Sequence, residues 1–176
     1  MNLEHKFCAA GREVTVTDGT TISGYASLFG KPDQGGDTVE KGAYGASLAK
    51  GRGVKMLWQH DPAQPIGVWD EVREDANGLW VKGRLLTDIA KGREAASLIA
   101  AKAIDGLSIG YRTVKSRKDD KGGRILSELE LWEVSLVTFP MLRDARVGAK
   151  GDEPAATAMR EMAAAFENAR QMMARD

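Results

Sequence analysis

The sequence predicts a mainly β domain with helices (α+β), built on an antiparallel sheet that closes, or nearly closes, into a barrel with the helices around it. Three observations lead there. Alternating or β-branched runs recur along most of the chain, separated by Asp-Gly, Asn-Gly and other turn signals. A single well-marked helical pattern, between Thr87 and Ile104, interrupts them. So many strands would leave open sheet edges, and closure is the economical way to remove those.

In order, Glu13 to Thr17 alternates, Asp18-Gly19 signals a hairpin turn, and Thr20 to Phe29 resumes as a strand in which Gly24 marks a bulge. Gly30 to Asp37 reads as a loop, and Glu40 to Lys50 as a short helix weakened by Gly42 and Gly45. Val54 to His60 is an apolar run ended by Asp61-Pro62, so His60 falls at a strand terminus. Pro65 to Glu74 and Gly78 to Leu86 flank Asp75-Ala76-Asn77-Gly78, where Asn-Gly supplies the positive φ angles of a tight hairpin. Thr87 or Asp88 caps a helix with apolar positions Ile89, Ala96, Ile99, Ala100, Ala103 and Ile104, and Gly106 is placed to stop it.

Leu107 to Val114 then reads as a strand with Leu107, Ile109 and Tyr111 on one face and Ser108, Gly110 and Arg112 on the other, Gly110 leaving space beside the serine. Lys115 to Gly123 is a charged turn whose aspartates and glycines favour a solvated loop over a nucleic-acid contact. Arg124 to Glu130 leads into Leu131 to Phe139, the most strand-like run of all, closed by Pro140. Alternation puts Leu131, Glu133, Ser135 and Val137 on one face of it. Residues 1–147 are thus expected to form the β-barrel domain, and 148–176 a linker followed by an amphipathic helical arm with Met159, Met162, Phe166 and Met173 on its apolar face. A lone helix of that kind needs a partner, which points to self-association or docking.

The charge balance excludes little but guides much. With 25 basic and 25 acidic residues the formal charge is zero, so neither nucleic acid nor an anionic membrane is an expected partner. No apolar run is long enough to span a bilayer, and the N-terminal residues have no signal core, so a cytoplasmic location is expected. One cysteine and two histidines are too few for a convincing zinc site, and no cofactor is expected.

Three side chains can carry chemistry. Ser108 reads both as a small strand residue and as a nucleophile; His60 reads both as a structural residue and as a base. Glu133 is expensive to bury in so apolar a strand unless paired, either to an arginine such as Arg112 or to an imidazole. A serine, a histidine and a carboxylate are the minimum set for nucleophilic acyl transfer. No Gly-x-Ser-x-Gly elbow is present, which argues against an α/β-hydrolase. A carboxylate-pair glycosidase lacks a second acid near Glu133.

Trp58-Gln59-His60-Asp61-Pro62 with Pro65-Ile66-Gly67, then Asp105 to Tyr111, then Trp132 to Pro140, resemble the ordered motifs of the prohead (capsid maturation) serine proteases of tailed bacteriophages and prophages. Gly24 to Phe29 is similar to that family's first strands, so the resemblance runs from about Ile22 to Val147. It implies a fold like the herpesvirus assemblin-type proteases, with Ser108 as nucleophile, His60 as general base and Glu133 as third member, the nearby Glu128 and Glu130 being the alternatives for that last place. It also implies an endopeptidase that cleaves the scaffold segment of the major capsid protein, and itself, within the procapsid in the host cytoplasm. After Pro140 the chain departs from the family pattern, and backbone N–H groups of Met141 to Arg143, with Arg143 or Arg146, are the candidates for an oxyanion site. The rival expectation is a non-catalytic β-barrel module that helps to scaffold the phage head.

Overall fold

The computed structural model describes residues 4–7, 14–17, 19–120, 122–139 and 147–149, the first two segments and the last by their backbone. They form β1 (Glu4–Phe7), β2 (Val14–Thr17), β3 (Thr21–Leu28), β4 (Asp37–Val39), α1 (Gly45–Ala49), β5 (Lys55–Trp58), β6 (Asp61–Glu74), β7 (Gly78–Leu85), α2 (Ala90–Ala100), β8 (Gly106–Lys118), β9 (Arg124–Val137) and β10 (Val147–Ala149). All strands belong to one sheet, paired in the order β1-β8-β9-β5-β6-β7-β3-β2-β10, with β4 on β9. The fold is mainly β with few helices, as expected. The sheet curls until β3 approaches β8 across its interior, a half-barrel whose pairing runs as an open series from β1 to β10.

Antiparallel pairing alone does not describe it. β5 and β4 both run parallel to β9, and β10 runs parallel to β2. Turn signals report pairing between strands that are neighbours in sequence, whereas a parallel pair joins strands separated by a long crossover. The sheet is therefore mixed, and the segments between β5 and β9 are the crossover.

The apolar face of the curl holds one core in which Ile22, Val81, Leu107, Ile109, Tyr111, Val134 and Leu136 meet Ile99 of α2 and Tyr44 beside α1. Burying these side chains contributes roughly 1.5–3 kcal/mol each relative to leaving them in water. α2 lies close on the sheet because Gly92 has no Cβ; one built there would stand 2.0 Å from the Leu86 carbonyl oxygen.

Several local expectations need correcting. Neither Thr87 nor Asp88 caps α2 through its side chain; Ile89 occupies the cap position, and the Arg93 guanidinium binds the Thr87 and Asp88 carbonyls at 3.0 and 3.1 Å. The helix stops well before Gly106, because Lys102 turns the chain with φ +56°. α1 covers only the second half of the expected helix, Gly42 upstream having φ +93°. The register of β3 slips between Tyr25 and Ser27 rather than at Gly24.

Between β6 and β7, Asn77 and Gly78 are not among the residues of positive φ. The turn is tied by Asp75 instead, whose Oδ1 accepts the N–H groups of Asn77 and Gly78 at 2.8 and 3.2 Å. Glycine is required at 78 for another reason: a Cβ would stand 2.0 Å from the Ser27 carbonyl oxygen on β3.

The boundary expected after residue 147 falls inside β10. The helical arm proposed from Ala155 onward lies outside the described residues, as do Met141, Arg143 and Arg146. Among the described residues no helix is long and apolar enough to cross a membrane.

Candidate active site

The site is built on three adjacent strands, β8, β9 and β5, with β9 in the middle. Ser108 lies near the start of β8, opposite Ser135 of β9, and Gly110 lies opposite Glu133. On the other side of β9, Leu57 of β5 is in register with Ser135 and Trp58 with Leu136. Ser108, Glu133 and Ser135 thus share one face of neighbouring strands, while Leu107, Ile109, Val134 and Leu136 point the other way into the core.

His60 arrives by a different device. Trp58 pairs with Asp61, so Gln59 and His60 form a two-residue hairpin turn between β5 and β6, with φ +52° and +62°. Positive φ at both central residues is what a type I′ turn needs, and Asn-Gly usually supplies it. Two side-chain-bearing residues hold that conformation here at a cost on the order of 1–2 kcal/mol each. Cross-links to the end of β9 hold the turn: Gln59 N–H donates to the Leu136 carbonyl at 2.9 Å, and Gln59 Nε2 donates to Thr138 Oγ1 at 2.6 Å. The sequence places His60 at a strand end, correctly. That β6 resumes at once, through Pro62 and Pro65, is possible because the β5–β6 register is irregular there, so the missing N–H groups break no regular ladder.

This turn brings the imidazole between the other two groups. Ser108 Oγ is 2.6 Å from His60 Nε2, and His60 Nδ1 is 2.5 Å from Glu133 Oε1. A carboxylate only accepts, so the proton sits on Nδ1 and Nε2 is left to accept from the serine hydroxyl. Glu133 is 4% exposed and Ser108 0%, with the His60 side chain at 12%. All three sequence-predicted residues converge.

Two neighbours complete the arrangement. Ser135 Oγ donates to Glu133 Oε2 at 2.6 Å and accepts the His60 backbone N–H at 3.2 Å, so one buried hydroxyl ties the carboxylate to the turn. Alternation in Glu133-Val134-Ser135 was the signal for it, since i and i+2 on a strand share a face. Gly110 is the second. The space beside Ser108 is not open, as the sequence suggested, but filled by the Glu133 side chain; a Cβ on Gly110 would stand 2.0 Å from Oε1.

Arg112, the other partner considered for Glu133, binds Glu130 instead, at 2.7 Å between Nη2 and Oε2, and Glu128 pairs with Lys115. Among the described residues no group of three His, Cys, Asp or Glu side chains is placed to hold a metal ion. What the arrangement can do is move a proton from a hydroxyl to an imidazole whose charged form faces a buried carboxylate.

A sequence profile of the family described as caudovirus prohead serine protease matches residues 9–162. Among curated proteins, a prohead protease of Enterobacteria phage HK97 is 33% identical over 135 residues, which are 73% of this chain and 59% of that protein. A prohead protease of Escherichia phage T5 is 30% identical over 129 residues, 70% of this chain and 59% of that one. The chain thus spans about three-fifths of the length of these relatives. Among solved structures, that of the bacteriophage T4 capsid assembly protease aligns with a TM-score of 0.64 at 16% identity, covering 77% of this chain and 97% of that one, a likeness of fold.

Proposed function

Since the chain belongs to the caudovirus prohead serine protease family, we propose that it is a serine endopeptidase using Ser108, His60 and Glu133. In this reading His60 Nε2 takes the Ser108 proton as Oγ attacks the substrate carbonyl, and Glu133 holds Nδ1–H and offsets the charge of the imidazolium. His60 then returns the proton to the leaving amine, and water repeats the sequence on the acyl-enzyme. The observation that supports this most is the unbroken chain of contacts, 2.6 Å and then 2.5 Å, from hydroxyl through imidazole to a buried carboxylate.

The proposed substrate is the scaffold segment of the major capsid protein, together with the enzyme's own chain, inside the assembling procapsid in the host cytoplasm. The family name and the names of the relatives, all prohead proteases, support action on the prohead. The proposal extends to closure of the half-barrel into an assemblin-type barrel, and to a helical arm beyond residue 149 that recruits the scaffold or a second copy. Capture of a fluorophosphonate, lost in Ser108→Ala, and cleavage of co-expressed capsid protein, lost in the same variant, are the expected results. A folded protein that does neither would leave the non-catalytic assembly module, a reading favoured by one observation, the complete burial of Ser108.

A further inference from the structure

β9 has two strand partners along one edge, with a gap between them. β4 pairs with Arg124 to Leu126 and β5 with Glu133 to Leu136, both parallel to it. The stretch between is met by α1 and the chain just before it. The Leu129 N–H donates to the Ala43 carbonyl and the Leu131 N–H to Ser47 Oγ, each at 2.9 Å. The Ser47 bond is buried, and a side-chain hydroxyl there takes the place that a neighbouring strand's carbonyl would otherwise fill.

One residue further on, the ladder with β8 slips. Tyr111 pairs with Leu131 and Gly110 with Glu133, which leaves Trp132 as an extra residue. The slip reverses the sense of the strand. Leu129 and Leu131 before it face the core, and so do Val134 and Leu136 after it, odd numbers giving way to even. Glu133 is thereby turned to the opposite face, against His60. Were the extra residue one or two places later, Glu133 would follow Leu129 and Leu131 into the core, and its carboxylate would leave His60 Nδ1. The place of the bulge decides whether the serine and histidine have a third member at all.

Resting on the protease reading above, we infer that Ser47 is a positioning residue for Glu133: its hydroxyl holds the last N–H before the slip and so fixes the extra residue at Trp132. A paired strand would impose its own regular repeat on β9, whereas a single hydroxyl on a helix fixes one N–H without doing so. The Arg52 guanidinium closes over the same bulge, 4.6 Å from the Trp132 ring centre and 3.5 Å from Glu130 Oε1. Ser47 acts through the main chain of β9, and the site inherits its register.

Ser47→Ala leaves the Leu131 N–H without that acceptor, so the slip is free to shift and Glu133 is held less closely. Two readings on the folded full-length protein separate positioning from mere support. The first is fluorophosphonate capture at Ser108, followed against reagent concentration. Its limiting rate is expected to fall about ten-fold, while the half-saturating concentration stays as it was. The second is the proton between His60 Nδ1 and Glu133. In so short a charge-assisted bond it resonates well downfield of ordinary amides, and its loss in His60→Asn assigns it. In Ser47→Ala that resonance is expected to move upfield or broaden. Asp75→Asn, in the β6–β7 turn, is the control for lost stability and should change neither reading. If Ser47→Ala does not fold, Ser47→Cys, a poorer acceptor of similar size, is read in the same way. An unmoved resonance overturns the proposal, whatever the capture rate, and leaves the protease reading standing. Should no form be captured, the protease reading falls, and the resonance alone decides: moved, it upholds the place of Ser47; unmoved, it removes it.

Discussion

Removing the charge of Glu133 while keeping its shape separates its electrostatic role from its packing. Glu133→Gln is expected to fold, since the amide still fills the space against Gly110, and to lower capsid-protein cleavage on the order of a hundred-fold or more, because no anion then faces the imidazolium. Glu128→Gln and Glu130→Gln disturb only ion pairs with Lys115 and with Arg112 and Arg52. Exposed pairs of that kind contribute about 0–1 kcal/mol, so both variants should stay within a few-fold. Near-normal cleavage by a folded Glu133→Gln would remove that residue from the site. Ser135→Ala takes away the hydroxyl that ties Glu133 to the His60 turn; a loss of about 1–1.5 kcal/mol in positioning corresponds to a drop of roughly ten-fold in kcat/KM. Unchanged kcat/KM would show that the turn and the carboxylate hold their places unaided. At this scale much was legible, because a carboxylate inside Leu131 to Val137 demands a partner. Which partner was not legible: Arg112 and His60 are equally available to the eye, and only the β5–β9 register chooses between them.

Elements show where local signals mislead. In β9 the pairing jumps from Gly110 with Glu133 to Tyr111 with Leu131, so Trp132 is an extra residue. The bulge moves Leu131 into the core with Val134 and Leu136, although plain alternation puts it beside Glu133. No residue type announces a bulge within an apolar run, so period-2 reasoning fails there. The same ladder makes Gly110→Ala a severe change: the new methyl must push the Glu133 carboxylate off the imidazole. Cleavage should fall at least as far as in Glu133→Gln, with about 1–3 kcal/mol of stability lost to overpacking, read by thermal melting. A folded Gly110→Ala of normal activity would mean that the carboxylate can move without consequence. In the β6–β7 turn, burial works to raise the pKa of Asp75, but N–H groups of Asn77 and Gly78, the Tyr25 hydroxyl and Arg73 together outweigh it and hold it at about 2. A lowered pKa means a contribution to stability that is present above the ordinary carboxylate value near ~4 and lost as pH falls through about 2. Asp75→Asn should therefore lower the melting temperature by a few degrees at neutral pH and flatten its fall between those limits. Parallel melting curves for the two proteins across that range would contradict it.

Across the whole molecule, the hairpins β2–β3, β6–β7 and β8–β9 were legible from turn chemistry, whereas the parallel joins of β4 and β5 to β9 were not, because nothing between two distant strands records that they pair. β10 marks where a shortened chain should be cut. A chain ending after Ala149 keeps the strand that pairs with β2, and is expected to match the full chain in circular dichroism and melting temperature. Collapse of that shortened chain would mean that residues from Lys150 onward belong to the core. The central place of β9 also sets an order of events during synthesis. β8 and β5 are not neighbours; β9 lies between them, and it is the last of the three to be made. A nascent chain that has reached Lys118 already contains Ser108 and His60, yet has no ladder on which to bring them together. Pairings this distant in sequence are slow to close. On the proposed reading, Ser108, His60 and Glu133 come together only once the chain has been made through Val137 and the crossover has folded back, so an unfinished chain carries the residues of the site without its geometry.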